Sequence, residues 1–271
     1  MSAETPSEHA STPEGGAGEK ERDLFGRVPK GRRDWSHRRG EPRVFALLWT
    51  LYLMLATLVM FASLSASPSV TPEVYRPAAR TLLLREMVGV TLPWPLTRLS
   101  QVSPHGGIVS GVLKDLVVVL LPVQALVWPH AMGVLSDWPL GVVAAMSASI
   151  GAWALIVGGT LTIALGTMER EGRGVARAAW MGVFVVLIGG APLWLLLRGE
   201  LGGGVGGETR VGWMLSPLTS VMEITRDRAW SGHSAWVGAG HWRALAWVTG
   251  LGGVLLAMGW VWTLARRGES A

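Results

Sequence analysis

The chain has 271 residues, of which 49% are apolar and only 16% charged, with a mean hydropathy of +0.36. That balance excludes an ordinary soluble domain and points to a helical membrane protein. The chain has no cysteine, which excludes a disulfide framework and any Cys-based metal site; the net charge of +5 matters through its placement more than its sum.

Residues 1–42 are polar and rich in Pro, Gly and Ser, and they lack the apolar side chains that would repay ordering. They are expected to form a disordered cytoplasmic tail with no cleavable signal peptide. The end of this tail holds seven basic residues between Arg27 and Arg43. Beside the first apolar run, these read as a cytoplasmic flank that touches the lipid bilayer, with no role in nucleic-acid binding.

Five apolar runs then follow, at about 44–66, 108–132, 140–166, 178–197 and 244–265. Each is long enough to cross a hydrocarbon core as a helix. Pro122 and Pro192 are expected to kink theirs. Five crossings from a cytoplasmic tail would leave about nine arginines outside and five inside, against the positive-inside tendency. A sixth, weak crossing at about 79–98, within the segment Ala78 to Leu99, changes this to about seven outside and six inside. It also places MEREGRGVAR and Arg266-Arg267 in the cytoplasm. That segment carries Arg85 and Glu86, so it is expected to be short, tilted or broken, with its charged face against protein or water. The reading is an all-α bundle of six spans, five clear and one weak, with both ends inside, in an inner cell membrane.

The loop from Arg198 to Arg243 is long and apolar at its middle. Segment 211–224 is expected to form two short helices bent at Pro217, capping the bundle in the outer leaflet. Trp213, Met214, Leu215, Leu218, Val221 and Met222 would supply its buried face. Lys114 and Asp115 read as a topological anchor at a span end, with a coupling role second. The tryptophans Trp94, Trp128, Trp138, Trp180, Trp194 and Trp242 read as interfacial anchors. Gly158, Gly159, Gly250, Gly252 and Gly253 read as places where helices approach closely.

No catalytic, cofactor-binding or metal-ligating residue emerges. Lys20, Lys30 and Lys114 stand in no P-loop, and no HExxH or GxSxG occurs. His233 and His241 share a loop without neighbouring carboxylates, a weak metal pair. The run of glycines at 202–207 follows no strand and reads as a flexible loop. The chain is therefore read as no enzyme.

The order of parts resembles the membrane subunit of ABC-2 type transporters over roughly residues 108–267. Two spans joined by the short turn GVLSDWP, the charged loop MEREGRGVARA, and a longer loop before the last span carry the likeness. Leu215-Ser216-Pro217-Leu218 is similar to the family's "lnPl" motif. The segment Thr97 to Gly107 departs from the pattern by lacking the glutamate and G-T-L-E of the coupling helix. The resemblance implies an export permease, present as a homodimer or paired subunit and energised by a separate ATP-binding subunit. The other reading is a non-transporting anchor or assembly factor.

Overall fold

The structure, a computed structural model, describes residues 42–64, 71–101, 107–168, 173–199, 209–227 and 235–268. The tail, the glycine run, His233 and the loop residues 169–172 lie outside these residues. The described residues form an all-α bundle whose helices are α1 (Pro42–Leu64), α2 (Pro72–Thr91), α3 (Pro93–Ser100), α4 (Ile108–Val127), α5 (Leu140–Met168), α6 (Arg173–Leu197), α7 (Val211–Met214), α8 (Pro217–Ile224) and α9 (Ala239–Gly268). Five helical stretches are long and apolar enough to cross a membrane: 44–64, 108–131, 140–168, 175–197 and 239–265. The chain is a multi-pass membrane protein. Helices α4 and α6 continue through Pro122 and Pro192.

Named contacts fix the direction of each helix. Phe45, near the start of α1, lies 5.7 Å from the Arg98 guanidinium of α3. Arg98 pairs with Asp115, near the start of α4. These three mark one end of the bundle, here the lower end. Tyr75, near the start of α2, and Trp138, just ahead of α5, flank the ring of His130 with centroids 5.8 and 5.6 Å away. They mark the upper end. Helix α2 therefore runs from the upper end toward the lower, and its 20 residues span about 30 Å, the depth of a hydrocarbon core.

Low hydropathy kept α2 from reading as a clear span, and burial is the physical reason it is tolerated. It packs against α1, α4, α5 and α8. Glu86 is wholly buried and Arg85 half-buried, so the charged face meets protein. The chain breaks at Leu92, where Pro93 and Pro95 cannot continue the hydrogen-bond ladder of α2, and restarts as α3.

Helices α5 and α9 run parallel in close contact. A Cβ at Gly252 would stand 2.8 Å from the Cβ of Leu155, and one at Gly159 would stand 2.7 Å from the Cβ of Leu255. Gly166 faces Trp262 further down the same seam. Helix α6 runs the other way, since Trp180 Nε1 near its start donates to Thr167 Oγ1 near the end of α5 (3.0 Å). The end of α5 and the start of α6, which flank residues 169–172, thus share the lower end with the start of α1. The end of α9 lies there too. This is the geometry that six passes require.

Several residues differ from their expected roles. Trp94 and Trp138 are core residues, 0% and 2% exposed, because each packs where helix ends converge inside the bundle. Trp128, Trp194 and Trp242 remain exposed at helix ends. Gly158 faces Val112, Leu116 and Trp94, whereas Gly250 and Gly253 have no neighbour within contact distance. Replacing Gly252 with valine is expected to destabilise the bundle by about 1–3 kcal/mol through overpacking. Gly250→Val should be nearly neutral. Thermal unfolding of the two variants in one detergent checks the contrast.

Candidate functional site

At the upper end, α7 and α8 fold back onto the bundle, bent at Ser216-Pro217 as the sequence suggests. Proline opens α8 because its missing N–H is not needed in a first turn. Ser220 Oγ lies 3.1 Å from Ser149 Oγ. Ser149 is nine residues into α5, so α8 reaches about 14 Å along that helix. Met214 and Val221 are fully buried, as expected. Trp213 and Leu218 are only half-buried. Leu215 and Met222 are exposed, 55% and 45%, and do not belong to the buried face. The reason is the composition of that face. In α8, Pro217, Thr219, Ser220, Val221, Glu223 and Ile224 turn inward, so its buried side is half polar.

Glu223 is the hub of this cap. Its Oε1 accepts from the Arg210 backbone N–H (3.2 Å) and from Arg226 Nη2 (3.1 Å). His241 Nε2 of α9 stands 3.5 Å from the same oxygen. The His241 Nδ1 accepts from the Gly238 N–H (3.2 Å), so in the neutral ring the proton sits on Nε2 and faces Glu223. Burial pushes the Glu223 carboxyl upward. The His241 ring, the Arg210 N–H and the charges of Arg226 and His241 outweigh it and hold the group below the ordinary glutamate value.

Two arginines of α2 tie this end together. Arg76 Nε donates to the Ser136 carbonyl (2.9 Å) in the turn between α4 and α5. In that turn Asp137 adopts φ 50°, a left-handed conformation that Asp tolerates. Arg80 donates to the Thr225 carbonyl at the end of α8 (Nη2 2.6 Å) and pairs with Asp227. Asp227 and Ala235 form an isolated antiparallel bridge.

The lower end is held by one buried ion pair. Arg98 donates through Nε and Nη2 to both carboxylate oxygens of Asp115, a two-pronged geometry that suits a guanidinium. Its Nη1 donates to Gln101 Oε1 (2.8 Å) and Trp94 Nε1 approaches Asp115 Oδ2 (3.4 Å). The two charges are 5% and 1% exposed. The adjacent charges Lys114 and Asp115 thus separate, with Lys114 exposed and Asp115 an internal tie. Sequence reasoning missed Arg98 as the partner. The available signal was a lone arginine on a Trp-Pro-rich segment 17 residues before the one acid of the next apolar run.

Among the described residues no group of three or more His, Asp or Glu could hold a metal ion. A groove of about 640 Å³ between α1 and α4 and one of about 520 Å³ between α4 and α9 are lined chiefly by apolar side chains. Neither contains a charged group. No protein-family model, curated protein or solved structure matches the chain.

Two outcomes are expected. Asp115→Ala strands the Arg98 charge in the interior and should cost about 3–5 kcal/mol, whereas replacing the exposed Lys114 with alanine should change thermal stability little. Val221→Asp should lower the unfolding temperature in detergent more than Leu215→Asp. Only the former places a charge inside the cap; equal effects would mean that the cap is not packed as described.

Proposed function

We propose that this chain is the membrane-spanning permease subunit of an ABC-2 type export system in an inner cell membrane. Its lower end faces the cytoplasm, with both chain ends inside, and a separate ATPase subunit supplies the energy. The observation that carries the reading is α3. This short helix lies at the lower end between the second and third passes, where the resemblance places a coupling helix. It is joined to α4 by Arg98–Asp115 and packs against α5 and α6. A push on α3 would therefore move several passes together, which is what an external motor requires of its contact point. The helix lacks the family's glutamate and G-T-L-E, so its surface chemistry differs from that pattern.

Further support comes from the pass order and from Leu215-Ser216-Pro217-Leu218, which forms the bend of a folded-back pair just before the last pass. Two copies, or this chain with a paired subunit, would line the path. The chain itself carries no ATP-hydrolysing motif.

Affinity purification of the full chain from mild detergent is expected to recover a P-loop ATPase, and removing the α3 contact surface should release it. Recovery of the chain with envelope-assembly proteins and no ATPase would favour the anchor reading. The orientation is checked separately with single cysteines, since the chain has none of its own. An impermeant thiol reagent on intact cells should label Val134→Cys in the exposed upper turn and spare Gly172→Cys.

A further inference from the structure

Glu86 is a carboxyl in the middle of the bundle that the transport reading does not use. It is 0% exposed, and neither of its oxygens has a hydrogen-bond partner among the described residues. Its surroundings are unusual for an acid. Tyr75 and Trp138 flank one ring at the upper end, and Trp94 lies 3.4 Å from the Cβ position of Gly158 lower down. Helices α2 and α3 thus run alongside α5 in the same direction, and counting down from these two contacts puts Glu86, midway between Tyr75 and Trp94, at about the depth of Ser149. Ser149 is the residue that α8 reaches through Ser220. Two further polar groups near this seam are buried without a hydrogen-bond partner: the Ser216 hydroxyl, at the bend one turn before Ser220, and the Trp153 indole N–H, one turn below Ser149.

The charged groups on every packed element are accounted for. Helix α1 offers Tyr52, whose hydroxyl donates to the Arg85 carbonyl (2.6 Å). On α2 itself, Arg85 is half-buried and makes no ion pair with Glu86, Arg80 is committed to Thr225 and Asp227, Arg76 donates to the Ser136 carbonyl at the upper end, and Glu73 lies in the first turn. Helix α5 carries no titratable residue. From α8 comes Glu223, held by Arg226, Arg210 and His241. On α3 and α4, Arg98 and Asp115 satisfy each other, and Lys114 is exposed. Among the described residues no cation is placed to neutralise an ionised Glu86. A buried charge without a partner is far costlier than a neutral acid, and an ionisable group inside a membrane bundle marks a proton or ion path by default.

We propose that Glu86 is a proton-binding site at mid-bundle, reached from the upper end along the seam between α2, α5 and α8 past Ser220 and Ser149, with the Ser216 hydroxyl at the deep bend beside them. The proton comes from water at the upper end, and a carboxylate oxygen takes it up to give the neutral acid that fits the site. Release returns it by the same hydroxyls. The serines can both donate and accept, which a relay requires. This site stands whether or not the chain is a permease, because it depends on the interior alone.

The test is infrared spectroscopy of the full chain in lipid nanodiscs, reading the carbonyl stretch of a protonated carboxyl. The wild type should show such a band, Glu86→Gln should lose it, and Glu86→Asp should shift it, the last variant serving if the amide form does not fold. Transfer to heavy water should move the band as the proton exchanges, several-fold more slowly in Ser220→Val and in Ser149→Val. A wild type without the band, or a band unchanged in the folded Glu86 variants, overturns the site. Exchange as fast as wild type in both serine variants overturns the route.

Discussion

The bundle depends on how closely α5 and α9 approach. Hydrophobic driving force is weak between helices in lipid, so stability must come from dense contact and satisfied polar groups. Glycine supplies the contact here. Gly159 admits the backbone of α9 at Leu256, and Gly252 admits that of α5 at Ile156, so each helix presents a notch to the other. The other passes gather on the pair this creates: α4 and α6 pack against α5, and α8 wedges between α5 and α2. With α5 the most buried of the five apolar passes, it acts as the post around which the others are placed.

Around that post, polar chemistry is used sparingly and in three layers. The lower layer is the closed Arg98–Asp115 pair. The upper layer is a network centred on Glu223, in which one carboxylate receives a backbone N–H and an arginine and faces a histidine. Between them stands Glu86, with no hydrogen-bond partner among the described residues. The layers differ in kind. The outer two fasten consecutive elements across their loops, α3 to α4 and α7–α8 to α9. The middle one fastens nothing, and a structural role explains it least.

Much of the architecture was legible in the sequence. Long uncharged runs have few options in lipid, so the five apolar passes could be placed from length alone. The proline at 217 gave the bend of the cap. The weak pass was harder because hydropathy measures exposure to lipid, and α2 meets mostly protein. Its parity was still readable from the arginines on either side. The partners of buried charges were not legible. Arg98 and Asp115, or Arg80 and Thr225, are joined by tertiary packing that no local pattern encodes. The cap's inward face was misjudged at Leu215 and Met222 for a related reason: in a membrane protein the apolar side of a short helix can turn to lipid while serines turn inside.

The pairing of α5 with α9 also bears on how the chain is made. Nearly a hundred residues separate Gly159 from Leu255, and at translation speeds of 5–20 residues per second they take on the order of ten seconds to synthesise. During that interval α5 has left the ribosome with its notch open, and its eventual partner does not yet exist. The newly inserted helices must then be held by lipid, by the insertion machinery or by α4, which packs on α5 and is already present. Biogenesis of this protein is therefore a waiting problem, in which the firmest interface of the finished bundle is the last to close.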